Sequence, residues 1–337
     1  MKKILTVIVA AATLLGAVSC LKTEGPVGTD GLYKNVTVGV KLPGMTKAIG
    51  DGLTANNLKY EVFYKGEDGS LTLIKDDQKD LSNRQTTIEF TLMRDTDYVV
   101  LFWAEPKENS PYNSTDLQSI KMNYSNNAGN LETRDAFCGR LEFTVDDEDN
   151  KNSSDYNPAM LVTLKRPFAQ VNIVSEDYGS LSFEGEIANI TLKSTAVTLS
   201  KLATEYNVNT GEATNPSDGN DTFTFNATGI GVDMNGDNNV DSFDSEEGHA
   251  LLSMNYVLLP TGATSIKVHA EFTVDVAYTT GGTVQNHPVT VYDGTVGAAP
   301  NCRTIISGDI FTEGGKIGIE LDNKFEADPL ANKDTIE

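Results

Sequence analysis

Val36, Val38, Val40 and Leu42 alternate with polar or small residues, as do Ile88, Phe90 and Leu92. The longest run of this kind passes through Ile266, Val268, Ala270, Phe272, Val274 and Val276. Shorter ones occupy Leu141 to Val145, Val171 to Val174, Ile190 to Leu192, and Ile317, Ile319 and Leu321. A strand turns successive side chains to opposite faces, so a period of two puts one face into a core and the other into water. Uninterrupted apolar stretches, Tyr98 to Trp103 and Tyr256 to Leu259, fit strands covered on both faces. After Cys20 no window carries a helical apolar stripe. About thirteen strand candidates, separated by clusters of Gly, Asn, Asp and Ser, predict an all-β chain of sandwiches or barrels.

With 337 residues the chain exceeds what one hydrophobic core usually supports, so two such domains in tandem are expected. The acidic, Asn-rich segment Asp146 to Asn157 divides the chain into similar halves. This gives an N-terminal β-sandwich over 20–157 and a C-terminal one over 158–337, the latter ending in a short polar tail from Asp322 that contains Pro329. Glu105 to Asn130 and Asn207 to Asp221 read as long polar loops.

Residues 1–19 have the layout of a secretory signal: Lys2 and Lys3, an uncharged apolar run from Ile4 to Leu15, then Gly16-Ala17-Val18-Ser19. The run is shorter than the roughly 20 apolar residues a membrane-spanning helix needs. Ala17-Val18-Ser19 meets the rule for ordinary secretion, and Cys20 directly after it resembles the bacterial lipobox, in which the thiol is acylated. Each buried methylene of an acyl chain contributes about 0.8 kcal/mol, so lipid on Cys20 makes the membrane the expected partner of this end. A net charge of −22 excludes nucleic acid, whose phosphates require a basic surface, and suits an exported surface protein. Beyond Cys20 only Cys138 and Cys302 remain, and a disulfide between them is permitted outside the cytoplasm.

Four segments resemble the fimbrillin-like lipoproteins, the pilins of the so-called type V pili of Gram-negative anaerobes and their relatives. They are Thr46-Lys47-Ala48-Ile49-Gly50-Asp51-Gly52, Arg134-Asp135-Ala136-Phe137, Leu164-Lys165-Arg166-Pro167-Phe168-Ala169-Gln170-Val171-Asn172, and Asn301-Cys302-Arg303-Thr304-Ile305-Ile306-Ser307-Gly308-Asp309-Ile310-Phe311-Thr312. The resemblance implies two transthyretin-like β-sandwich domains behind a lipoprotein signal. It also implies assembly by strand exchange: a protease cuts beyond the first strand, and the vacated groove accepts a strand from another subunit. Here the leaving strand would be Val36 to Leu42 and the cut would fall at Lys47-Ala48; the alternative is that this strand stays for good. At the other end Pro329 interrupts the alternation a donor strand needs, so an anchor, a tip or a non-polymerising relative fits better than a stalk subunit.

The loop Asp233-Met234-Asn235-Gly236-Asp237-Asn238-Asn239-Val240-Asp241-Ser242-Phe243-Asp244 spaces oxygen side chains as calcium loops do. Asp233, Asn235, Asp237, Asp241 and Asp244 are its candidate Ca²⁺ ligands, with a solvated acidic loop as the plainer reading; no other cofactor is implied. His249, His269 and His287 have no neighbours at zinc-ligand spacing, and there is no nucleophile elbow, so an enzyme is not expected. Trp103 lies in an apolar run and reads as core, whereas Tyr112, Tyr124 and Tyr156 lie in polar stretches where they could face sugars. The expected function is adhesion or pilus assembly at the cell surface, with pilin-like subunits or surface ligands of host or bacterial origin as partners. A glycan-binding surface lipoprotein for nutrient capture is the alternative.

Overall fold

The computed structural model describes residues 32–43, 52–124, 128–145, 160–178, 186–214, 222–228, 250–311 and 317–322. Among these, every regular element is a strand apart from one 3-10 turn at Glu132–Arg134. The first half contains β1 (Tyr33–Lys41), β2 (Asn57–Lys65), β3 (Leu71–Asp80), β4 (Gln85–Met93), β5 (Thr96–Glu105), β6 (Tyr112–Asn113), β7 (Ile120–Met122) and β8 (Phe137–Val145). Next come β9 (Met160–Thr163), β10 (Ala169–Ser175), β11 (Ile187–Ser200), β12 (Glu205–Asn207), β13 (Glu212–Thr214) and β14 (Phe223–Thr228). The chain closes with β15 (Ala250–Val257), β16 (Ser265–Tyr278), β17 (Thr283–Gly297), β18 (Arg303–Gly308) and β19 (Ile317–Asp322).

These strands form five sheets around two cores. The sheet β4-β1-β9 faces β3-β2-β5-β8, and Val36, Val38, Ile88 and Phe90 from the first meet Leu58, Val62, Val100 and Phe102 from the second. The sheets β14-β11-β16-β17 and β15-β10-β18-β19 supply the second core, with Val197, Val268 and Phe272 from one and Val171, Ile173 and Ile306 from the other. β5 serves both. Val100 and Phe102 enter the first core while Val99, Leu101 and Trp103 enter the second, which is why its sequence is apolar without alternation.

The fifth sheet, β13-β12-β7-β6, takes β6, β7 and β13 from the two stretches that read as long polar loops, and β12 ends where the second of them begins. Glu205 pairs with Lys121 and Tyr206 with Ile120, so a short ladder ties the first half to the second. Strands of two or three residues carry too little sequence to show a period; their pairing is decided by tertiary packing. Trp103 is fully buried, as its apolar surroundings imply, and its indole Nε1 donates to Glu105 at 2.8 Å. Tyr124 is buried as well, and Tyr112 stacks on Phe168 and donates its hydroxyl to the Arg134 carbonyl, so neither presents its ring to a sugar.

Gly139 in β8 is fixed by close packing. A Cβ there would lie 2.7 Å from Leu164 Cδ2 and 3.2 Å from Val162 Cγ1. Gly139→Val is expected to lower stability by about 1–3 kcal/mol through overpacking. A denaturant midpoint equal to that of the parent protein would refute this.

Candidate functional site

β1 is the element whose placement says most about function. Its residues alternate strictly: Val36, Val38, Val40 and, just beyond, Leu42 point into the first core, each no more than 4% exposed. Asn35, Thr37, Gly39 and Lys41 lie between them on the opposite face. Burial of four such side chains contributes on the order of 1.5–3 kcal/mol apiece. β1 is also hydrogen-bonded on both sides. It runs antiparallel to β4 over its full length, from Tyr33 opposite Met93 to Lys41 opposite Gln85, and parallel to β9 from Val38 opposite Met160 to Lys41 opposite Thr163. Beyond the strand, the Leu42 amide donates to the Arg84 carbonyl at 2.8 Å, and the Leu164 amide donates to the Lys41 carbonyl at 2.9 Å.

Lifting β1 out would therefore leave four apolar sockets between two strand edges with unpaired N–H and C=O groups, a template for strand addition. The groove is directional, since an occupant must run antiparallel to β4 and parallel to β9. It is also size-selective on its outer face, where a Cβ at Gly39 would already lie 3.2 Å from Leu161 Cδ1.

The segment after β1 closes back on the same core. Gly52 has φ +74°, and a Cβ there would meet Phe137 Cζ at 2.8 Å, so glycine answers both a left-handed backbone and a close ring. Lys47 and Ala48 lie between Pro43 and Gly52, outside the described residues. Cys20 and the loop residues Asp233, Asn235, Asp237, Asp241 and Asp244 are likewise outside them, as are His249 and Tyr156. His269 lies on β16 with Nδ1 3.5 Å from Asp293, and His287 lies on β17, opposite Val274. Among the described residues no three of His, Cys, Asp or Glu are grouped to hold a metal. Cys138 and Cys302 are not bridged to each other.

Three of the four recognisable segments meet behind the groove. Arg166 grips Asp135 through two parallel contacts, Nε to Oδ1 at 2.6 Å and a terminal nitrogen to Oδ2 at 2.7 Å, and its guanidinium lies 4.5 Å from the Phe137 ring centroid. Arg134 places its own guanidinium over Phe225 and Tyr124. Arg303, fully buried, donates from Nε to Gln170 Oε1 at 2.6 Å. Three motifs distant in sequence are thus one polar junction in space. Spacing alone cannot show it, because the partners come from three separate stretches of chain.

The sequence pattern of a family of unknown function (DUF6562) matches residues 32–337. The chain belongs to that family. No curated protein matches it. Among solved structures it is similar to a proposed cell adhesion protein from Bacteroides eggerthii, at 12% identity and TM-score 0.45, covering 87% of this chain and 96% of that one. It is also similar to the tip fimbrial protein Mfa3 from Porphyromonas gingivalis, at 12% identity and TM-score 0.40, over 86% and 99% of the two chains. A third likeness is to the fimbrial anchor protein Mfa2 from the same organism, at 10% identity and TM-score 0.38, over 86% and 98%.

Proposed function

We propose that this DUF6562 chain is a fimbrial or adhesion-related subunit of the cell surface that joins its partners by β-strand pairing. One observation carries the reading: the first described strand is not an edge strand but a plug, seated between β4 and β9 with four side chains in the core. A cut in the segment between Pro43 and Gly52 would part β1 from every strand that follows it, and so leave it exchangeable. Lys47-Ala48 is the proposed position of that cut. The proposed anchor is lipid on Cys20, which would hold the uncut chain at the outer membrane; a cut at Lys47-Ala48 would part the body from that lipid along with β1, so an anchor role goes with the uncut chain. The division into units at 20–157 and 158–337 is likewise proposed. An anchor, tip or non-polymerising role suits the chain better than a stalk, for want of a clean donor strand after Asp322.

The test is an exchange experiment. A specific protease site is engineered between residues 44 and 51 of the full exported chain, the chain is cut, and a fluorescent peptide of residues 33–42 is added. Uptake of the peptide by cut but not by uncut protein is expected, together with its loss when the peptide carries Val38→Asp. If the cut chain keeps its own strand and takes up no label over days at 37 °C, a few-fold rise in unfolding rate per ten degrees notwithstanding, strand exchange is the wrong mechanism.

A further inference from the structure

A second concavity lies away from the β1 groove, where β8, the Lys165–Pro167 stretch and the β12–β13 hairpin converge. It is a cleft of about 420 Å³, within the range of small-molecule sites. Its walls are mostly apolar, with Pro167, Val208, Ala213, Leu259, Pro260 and Pro300 among them. Gly211 and Gly262 also line it, and no atom lies within 4 Å of where their Cβ atoms would be, so the hairpin and the 259–263 turn leave it open.

The charge of the cleft sets it apart from the rest of the molecule. The chain has 48 Asp and Glu against 26 Lys and Arg, yet among the described residues the lining contains Arg140, Lys165 and Arg166 and not one carboxylate. Arg166 is held by Asp135 beneath the surface, and Arg140 is steadied by Asn209 at 2.9 Å and Glu142 at 2.7 Å. Lys165 is exposed, and among the described residues no carboxylate pairs with it. Its backbone is clamped to Cys138 in both directions, amide to carbonyl at 2.8 and 2.9 Å, so the base of its side chain is fixed. Burial pushes the Cys138 thiol up to about 11, which keeps the floor of the cleft neutral at physiological pH.

We infer that this cleft binds a small amphipathic anion, its acid group at Lys165 and Arg140 and its apolar body against the prolines, Val208 and Leu259. A cationic mouth over a carboxylate-free, apolar lining selects against cations and against strongly hydrated neutral ligands, and favours an acid with a ring or short chain attached. The prediction is independent of strand exchange, since the cleft shares no wall with β1.

The probe is 8-anilinonaphthalene-1-sulfonate, an aromatic anion, titrated against the full chain. Trp103 is the sole tryptophan, and its ring centroid lies 6.2 Å from that of Tyr206 on the cleft wall, so bound probe should quench its emission. Saturable binding at one site is expected, weakened about tenfold by Lys165→Met through loss of one charge-assisted contact, and further by Lys165→Glu. Lys165→Arg should retain it, and the thermal transitions of all three variants should match the parent. Binding that does not saturate, or that Lys165→Glu leaves unchanged, overturns the assignment; so does equal loss in Lys165→Arg.

Discussion

Val38→Asp should be the most damaging single substitution in the first core. Val38 is fully buried at the middle of β1, opposite Ile88 on one side and Met160 on the other. An aspartate there loses the valine's burial and places a carboxylate where no cation or donor meets it. The two effects together cost at least about 4 kcal/mol near neutral pH. The expected readout is a lowered denaturant midpoint and early loss of amide protection in β1, β4 and β9. The sign of the pH dependence follows from burial. It raises the folded-state pKa of the new carboxyl above its unfolded value of about 3.9, so the penalty shrinks as pH falls through the folded pKa towards that value, below which both states are neutral. Thr37→Lys, on the opposite face and across from Glu89, should stay within about 0.5 kcal/mol of the parent. If the two substitutions cost the same, β1 is not a plug.

That contrast rests on a feature visible in the sequence, whereas the setting of β1 was not. Its inward valines announce a half-buried strand, but nothing in residues 33–41 says that a parallel partner arrives from Met160–Thr163 to make it central. Longer strands were legible only where their period holds. β11 covers 14 residues, yet Leu192 and Val197, both buried, are an odd number of positions apart. A register shift between Leu192 and Ser194 restores the inward face, and a bulge of this kind hides half of the strand from a period-two reading. β3 fails for another reason. It is an edge strand, and nine of its ten residues are exposed, so Leu71–Asp80 has no core face to display. The cleft at Lys165 was invisible because its lining is gathered from five separate stretches, and absence of carboxylates becomes meaningful only once those stretches are known to touch.

Removing Asp135 tests whether the polar junction holds the two cores in register. Asp135 and Arg166 have side chains 1% and 0% exposed, so Asp135→Ala leaves a guanidinium charge buried without its bidentate acceptor. Breaking one side of such a pair costs about 3–5 kcal/mol. Arg166 lies three residues before β10 and Asp135 two residues before β8, so the loss should lower the unfolding midpoints of both halves and not of one alone. Asp135→Asn keeps an acceptor oxygen and should cost less. The informative variant is the double change Asp135→Leu with Arg166→Met. A buried ion pair is offset by the desolvation of both charges, so an apolar pair of similar volume should recover most of the stability that Asp135→Ala loses. If the double variant is as unstable as Asp135→Ala, the junction acts through the specific geometry of Arg166 on the Phe137 ring, 4.5 Å away, and not through its charge balance. Urea titrations followed by Trp103 fluorescence and by far-ultraviolet circular dichroism separate these outcomes, because Trp103 borders the second core while the backbone signal reports on both.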